Sequence, residues 1–179
     1  MKVIDDFLSP SEYEQVRDYL LGTDIKWKFN DNKVTPGDGQ IQFTHRCFEP
    51  QRFPVTIERT MKELDPIWAK LCQEHNLDVM LRVKINMEPR TAEHIESLFH
   101  TDTLQHNTTA VYYVNTNNGC TRFKDGTKVD SVANRMVIFD AQTQHGGVTC
   151  TDEHVRVVIN INYFEKAVEK DKGYYEELP

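Results

Sequence analysis

Residues 156–164, which read RVVININYF, carry the alternation that decides the fold. Side chains on a β-strand point to opposite faces in turn, so the two sets of positions are separated. The odd-numbered set is apolar and is expected to pack against helices: Val157, Ile159, Ile161 and Tyr163. The even-numbered set is unusually polar: Arg156, Val158, Asn160 and Asn162. A polar inner wall is typical of a barrel that encloses a polar ligand, and a solvent-facing side is the alternative.

Short runs rich in Val, Ile, Tyr and Phe fill the chain after Asn76, and Gly, Asn, Asp and Pro separate them. This texture predicts strands. The Asp-Gly pair in KDGTK (124–128) predicts a hairpin. Two earlier strands are predicted around DIKWKF (24–29) and QIQFTHRCF (40–48). The later runs are VMLRVKINM (79–87), TTAVYYVN (108–115), GCTRFKDGTKV (119–129), NRMVIFDA (134–141) and VRVVININYF (155–164).

Two helices are predicted before most of these strands. In LSPSEYEQVRDYLLG (8–22), Ser9 suits the cap, Pro10 the first turn, Glu12 a capping box and Gly22 the end. The second pattern is VTIERTMKELDPIWAKLCQEHN (55–76). Its Pro66 predicts either a kink or a new helix with Asp65 as its cap.

Helices followed by closely spaced strands indicate a mainly β protein with flanking helices, built as a double-sheet sandwich or jelly roll. The 179 residues fit one domain, 1–179, and residues 165–179 form a charged C-terminal tail. The net charge of -7 disfavours a nucleic-acid partner. The N-terminal apolar stretch is too short and acidic for a signal peptide, and no run is long enough to span a bilayer, so we expect a cytoplasmic protein without a membrane partner. The four cysteines are interpreted as free thiols: Cys47, Cys72, Cys120 and Cys150.

The stretch FHTDTLQH (99–106) contains the main metal-ligand candidates. His100 and Asp102 are two positions apart, so a strand end projects both from one face. His145 follows in FDAQTQHGGV (139–148), in a Gly-rich turn after a predicted strand. Two imidazoles and one carboxylate make the facial triad of a non-haem Fe(II) site. His106 is an alternative third ligand, and a chance H-x-D without a metal is the other interpretation.

Arg156 adds a second feature to this candidate site. It lies eleven positions after His145, on the polar face of the last predicted strand. A buried guanidinium needs an anion, and its planar fork suits a carboxylate. A dicarboxylate would therefore bridge a metal and Arg156. A salt bridge with one of many local acids, such as Asp152 or Glu153, is the structural alternative.

Taken together, these motifs resemble the 2-oxoglutarate- and Fe(II)-dependent oxygenase superfamily, in its prolyl 4-hydroxylase-like branch. The resemblance extends over nearly the whole chain. Its elements are FHTD (99–102), QHGGV (144–148), the spacing from His145 to Arg156, VIDDFLSPSEYEQV (3–16) and YYVNTNNGCTRF (112–123).

The resemblance implies a double-stranded β-helix, with His100, Asp102 and His145 on Fe(II) and Arg156 on the 5-carboxylate of the cosubstrate 2-oxoglutarate. Thr109, Tyr112, Tyr113 or Asn160 would complete the cosubstrate site, and Tyr112 and Asn160 are the residues predicted for it. The implied reaction is an O₂-dependent hydroxylation of an unactivated C–H bond. Its substrate is a protein or peptide, with peptidyl proline favoured, or a small molecule. The branch often has Lys where Arg156 stands, which leaves the substrate subclass open.

Three further alternatives remain open from the sequence. A non-catalytic barrel would use the polar pocket to sense a small carboxylate. A cupin-type metalloenzyme would use three ligands without 2-oxoglutarate. The polar, Gly-rich segment DNKVTPGDGQIQ (31–42) is either a lid over the site or a plain surface loop.

Overall fold

A central eight-stranded antiparallel sheet organises the computed structural model, which describes residues 1–49, 56–57, 60–103 and 105–167. The strand order is β1-β9-β6-β11-β5-β3-β2, with β4 beside β3, and a smaller sheet has the order β10-β7-β8. The strands are β1 (Lys2–Ile4), β2 (Lys28–Asn30), β3 (Gln42–Glu49), β4 (Thr56–Ile57), β5 (Leu77–Pro89), β6 (Thr108–Tyr113), β7 (Cys120–Phe123), β8 (Lys128–Asp130), β9 (Arg135–Asp140), β10 (His145–Val148) and β11 (Val155–Glu165). The helices are α1 (Pro10–Leu21), α2 (Thr60–Glu63) and α3 (Asp65–Glu74).

Helices cover one face of the large sheet. Val16 and Leu20 of α1 and Ile67 and Leu71 of α3 share one hydrophobic cluster with the odd-numbered residues of β11. The small sheet meets the other face through a second cluster: Val111, Tyr113, Phe123, Val129, Val137, Phe139 and Val158. The predicted jelly roll with helices packed outside is therefore confirmed.

The first helix follows its prediction closely. Glu12 accepts hydrogen bonds from the Ser9 backbone N–H at 3.1 Å and from the Ser9 hydroxyl at 2.6 Å, and Pro10 is the first helical residue. Gly22 ends the helix, but its φ of -80° is open to any residue. A Cβ at Gly22 would lie 2.6 Å from the Asp18 carbonyl oxygen, so close packing is the reason for glycine there.

The second helical pattern divides into three elements. Part of it, residues 55 and 58–59, lies outside the described residues. Ile57 lies in β4, where it pairs with Phe48 of β3, so the assignment of Ile57 to a helix was wrong. A new helix does begin in the turn that contains Pro66. Its N-cap is Leu64 and its first residue is Asp65, so the cap lies one position before the predicted cap, Asp65.

The last strand is longer than predicted. β11 runs to Glu165, whose carboxylate accepts a hydrogen bond from the Thr108 hydroxyl at 2.7 Å. The predicted tail therefore begins after that residue, and residues 168–179 lie outside the described part of the chain. The four cysteines are free, as predicted. None of the described helices has the length and apolar character needed to cross a bilayer.

Candidate metal centre

A polar cavity of about 290 Å³ lies between the large sheet and the small one. Arg156, Val158 and Asn160 of β11 line it, so the polar face of that strand faces a cavity and not bulk solvent. His100, Asp102 and His145 line the same cavity. The three residues predicted as metal ligands and the predicted cosubstrate arginine are therefore brought together.

Backbone pairing fixes His100 beside His145. The His100 N–H donates to the His145 carbonyl and the His145 N–H to the His100 carbonyl, both at 3.0 Å. His145 was predicted in a turn, but it is the first residue of β10. Each ring bonds a carbonyl through Nδ1, Leu98 at 3.3 Å for His100 and Thr143 at 2.9 Å for His145. Since a carbonyl only accepts, both Nδ1 atoms carry the proton and both Nε2 lone pairs are free for a metal.

Asp102 is held by four side chains on the inner face of the large sheet. Its carboxylate is 4% exposed and forms an ion pair with Arg82 at 2.9 Å. Hydrogen bonds also come from Asn160 at 3.1 Å, Thr109 at 3.1 Å and Asn162 at 3.4 Å. The carboxylate orientation is thus fixed by β5, β6 and β11 together.

The donor set fits a divalent ion. His145 Nε2 lies 3.7 Å from Asp102 Oδ2, and one ligand atom from each of the three residues lies within 4.8 Å of the others. Ligand atoms bound at about 2.1 Å stand at most roughly 4 Å apart, so the group must close by under about 1 Å to hold an ion. Among the described residues, this is the one group of three such side chains that could hold a metal.

The charge states suit metal binding at neutral pH. Burial, and then the neighbouring His145, lowers the pKa of His100, which keeps its ring neutral. Burial opposes ionisation of Asp102, but Arg82, His145 and the Asn160 hydrogen bond prevail and lower the pKa of that carboxyl. A neutral imidazole and an ionised carboxylate are the forms that bind metals.

His106, the alternative third ligand, does not join this group. Its side chain is exposed and lies outside the cavity lining.

Arg156 is 2% exposed and points into the cavity. Its Nε donates to the Ser131 hydroxyl at 2.9 Å, and one terminal nitrogen lies 3.6 Å from Glu88 Oε1. Arg156 therefore does have an ion-pair partner, as the structural alternative required, but this partner is Glu88 and not Asp152 or Glu153. Glu88 also forms an ion pair with Lys33 at 2.8 Å. Burial opposes its ionisation, yet Lys33 and Arg156 lower the pKa of Glu88, so this acid is charged.

Gly147 makes room for this charged cluster. A Cβ at Gly147 would lie 3.0 Å from Lys33 Nζ, 3.4 Å from Glu88 Oε1 and 3.5 Å from a terminal nitrogen of Arg156. The second glycine of the HGGV motif therefore leaves space for the charged cluster at the cavity wall.

The segment 31–42 contributes Lys33, Val34 and Gln42 to the cavity lining. The Asp38 carboxylate organises this segment by accepting hydrogen bonds from the backbone N–H groups of Lys33, Val34, Thr35 and Gln40. Those donors lower the pKa of Asp38 to about 2. The segment therefore lies at the cavity, while its movement as a lid stays a prediction.

Asp38→Ala is expected to loosen this segment, because four backbone donors lose their acceptor. Tryptic cleavage after Lys33 should become about tenfold faster or more, and Asp31→Ala in the same segment is the control. A depressed pKa stabilises the folded state fully above the unfolded value of 3.8 and loses that effect as the pH falls through about 2. Unchanged cleavage of the Asp38 variant would show that other contacts hold the segment.

The four further residues predicted for the cosubstrate site lie on different faces of their strands, and not all of them face the cavity. Asn160 lines the cavity, and Thr109 contacts Asp102. Tyr112 lies on the opposite face of β6, in the core against the helices, where its hydroxyl donates to Asn134 at 2.9 Å. Tyr112 therefore makes no contact with the cavity, and we correct its predicted role. Tyr113 faces the small sheet and donates to the Thr121 hydroxyl at 2.8 Å.

Tyr112→Phe tests this correction. The variant should lose about 1 kcal/mol of unfolding free energy, because the Asn134 oxygen loses a buried donor. Its affinity for 2-oxoglutarate should stay within about twofold of the original, since the cavity is untouched. Denaturant unfolding and ligand titration measure the two quantities. A stable variant with greatly weakened 2-oxoglutarate binding would restore the original prediction.

Several cavity residues were not predicted from the sequence. The β5 residues among them share one strand face, and the alternation of polar and apolar residues in RVKINME (82–88) is the sequence signal for that face. Lys33 comes from the segment 31–42. The missed polar and charged residues include Lys33, Arg82, Lys84, Asn86 and Glu88.

Several solved structures have a similar fold. A prolyl hydroxylase from Trichoplax adhaerens, in complex with a hypoxia inducible factor oxygen degradation domain peptide fragment, matches with a TM-score of 0.60 and 14% identity, over 92% of this chain and 83% of that chain. The non-heme alpha ketoglutarate dependent epimerase SnoN, from nogalamycin biosynthesis, matches with a TM-score of 0.61 and 14% identity, over 91% and 76%. HygX from Streptomyces hygroscopicus, with nickel and 2-oxoglutarate bound, matches with a TM-score of 0.58 and 12% identity, over 92% and 82%. The chain has the fold of these proteins.

This fold is the predicted double-stranded β-helix, and the likeness extends over nearly the whole chain. No protein-family model and no curated protein matches the sequence. At such low identity the likeness is one of fold alone. The roles of individual residues must therefore be argued from the geometry of the site.

Proposed function

We propose that the protein is a 2-oxoglutarate- and Fe(II)-dependent oxygenase that hydroxylates an unactivated C–H bond. One observation carries the proposal: His100, Asp102 and His145 line the same cavity as the buried guanidinium of Arg156. Three ligands on one side leave positions for a chelating 2-oxo acid and O₂. The solved structure of HygX with nickel and 2-oxoglutarate supports this use of the fold.

Bound Fe(II) would couple the decarboxylation of 2-oxoglutarate to succinate and CO₂ with insertion of one oxygen atom of O₂ into the C–H bond. The residues of the chain would bind the metal ion and the cosubstrate and orient them. His100 and His145 present Nε2, and the side chains around Asp102 hold its carboxylate. Arg156 would bind the far carboxylate of the cosubstrate, with Ser131 fixing its Nε. Val111 and Val158 give the polar cavity an apolar lining beside Asn160.

For the substrate, the resemblance favours a peptidyl proline. The prolyl hydroxylase among the similar structures, in complex with a peptide, supports that prediction. Proline-containing peptides incubated with the Fe(II)-loaded protein, 2-oxoglutarate and O₂ test it through a mass gain of one oxygen atom.

The deciding experiment for the activity is an anaerobic titration with Fe(II) and then 2-oxoglutarate, followed by the visible charge-transfer band of the chelate. Admission of O₂ should then produce succinate. Binding without succinate would favour the non-catalytic sensor, and Fe(II) binding without the band would favour a metalloenzyme that does not use 2-oxoglutarate.

A further inference from the structure

Three cationic side chains lie close together where β5 pairs with β3 beside the cavity. Lys84 of β5 is the cross-strand partner of Arg46 on β3, and Arg82 follows on the same face of β5. Arg82 and Lys84 both line the cavity. Like charges directly opposite each other weaken a sheet, so this placement is unfavourable without an anion.

Lys84 is the unpaired member of this group. Arg82 pairs with Asp102 at 2.9 Å and Arg46 with Glu49 at 2.7 Å. Within the described ranges, no ion pair joins Lys84 to a carboxylate. Burial, and then Arg82 and Arg46, lower the pKa of Lys84 to about 8, so the ammonium form predominates at neutral pH but is held at a cost.

Unpaired polar atoms mark the same wall. Arg82 Nε and Asn86 Oδ1 are buried without a hydrogen-bond partner, and both residues line the cavity. Buried polar atoms are rarely left unpaired, so a ligand with acceptor and donor atoms is expected there.

The charges of the cavity also remain unbalanced after the proposed cosubstrate is counted. Four cations line it, Lys33, Arg82, Lys84 and Arg156, against the carboxylates of Glu88 and Asp102. The double charge of Fe(II) and the double negative charge of 2-oxoglutarate cancel. Two positive charges therefore remain inside a small cavity, where uncompensated charge is costly.

We infer that the substrate is the small-molecule alternative and not a peptidyl proline, because an uncharged prolyl ring would leave these cations without an anion. The substrate would have a carboxylate or phosphate group, and Lys84 would bind this group with Arg82 beside it. The inference rests on the proposed function and names its substrate class. Lys84 pairs with Asn160 on β11, whereas Arg156 pairs with Glu88, four residues further along β5. That separation is about 13 Å along the strand, so the substrate and cosubstrate anions have separate sites.

Ligand-observed saturation-transfer NMR on the zinc-loaded protein, with and without 2-oxoglutarate, tests the inference. The probes are free α-amino acids, each paired with its primary amide, and O-phosphoserine paired with serine. We expect an acid, or the phosphate ester, to bind about tenfold or more tightly than its neutral partner. The amino-acid pairs report a carboxylate and the phosphoserine pair reports a phosphate. A panel in which no anionic probe binds better than its partner overturns the inference.

Substitutions then assign the preference to Lys84. Lys84→Met should remove the preference for the anion while 2-oxoglutarate affinity stays within about twofold, and Lys84→Arg should keep the preference. Lys124→Met removes an exposed amine from the β7–β8 hairpin and is the charge-matched control. If Lys84→Met instead abolishes 2-oxoglutarate binding, Lys84 belongs to the cosubstrate site and the inference is wrong.

Failure of the proposed function gives a different result. A protein that never forms the anaerobic Fe(II) and 2-oxoglutarate chelate lacks the proposed activity, whatever the probes do. Loss of the preference for the acid over its amide in Lys84→Met, measured without 2-oxoglutarate, still reports whether Lys84 binds an anion.

Discussion

His145→Ala is expected to weaken Fe(II) binding by at least about 100-fold and to abolish succinate formation, because one of three ligands is lost. The variant should fold, since among the described residues the His145 ring hydrogen-bonds to the nearby Thr143 carbonyl alone, at 2.9 Å. The backbone pairing with His100 does not depend on the side chain. Anaerobic Fe(II) titration measures the loss directly.

His106→Ala is the matched control for this experiment. It removes the same type of side chain from the same stretch of sequence, but from an exposed position outside the cavity. Fe(II) affinity should therefore be unchanged. Thermal unfolding with and without Fe(II) gives a second measurement, because an ion that binds only the folded state raises the melting temperature. Equal Fe(II) stabilisation of the original protein and the His145 variant would contradict the proposed ligand set.

The sequence allowed the candidate ligands to be predicted because few residue types bind metals and because two of the candidates lie two positions apart. His100 and Asp102 share a strand face by their spacing, and a polar face on β11 is unusual enough to identify a cavity wall. The pairing of His145 with His100 needed the structure, because a Gly-rich stretch predicts a turn and the bridge between the two histidines joins distant segments.

The facing of Tyr112 could not be predicted, because its strand does not alternate between polar and apolar residues. In TTAVYY (108–113) both faces of the strand are buried, one by the helices and one by the small sheet. A strand buried on both sides reads as a continuous apolar run, so its facing cannot be assigned from residue type. The Lys33 and Glu88 pair was not predictable for another reason. It joins residues 55 positions apart, in a segment whose sequence suits a surface loop equally well.

Arg156→Met is expected to weaken 2-oxoglutarate binding roughly 30-fold or more, since loss of one partner of a buried charge pair costs about 2–5 kcal/mol. Fe(II) affinity should stay within about twofold, because no metal ligand contacts Arg156 in the described structure. Arg90→Met, at an exposed position, is the control for the loss of an arginine. The charge-transfer titration and a metal titration separate the two affinities.

The Arg156 variant has a second consequence that must be separated from ligand binding. Glu88 keeps only Lys33 as an ion-pair partner, at 2.8 Å, in a fully buried position. An under-compensated carboxylate would itself repel 2-oxoglutarate and lower stability. The double variant Arg156→Met/Glu88→Gln removes that charge. If Arg156 binds the cosubstrate, the double variant should regain stability in thermal unfolding but not 2-oxoglutarate affinity. Recovery of the affinity as well would mean that Arg156 serves only to neutralise Glu88, and the 5-carboxylate would then have to bind elsewhere in the cavity.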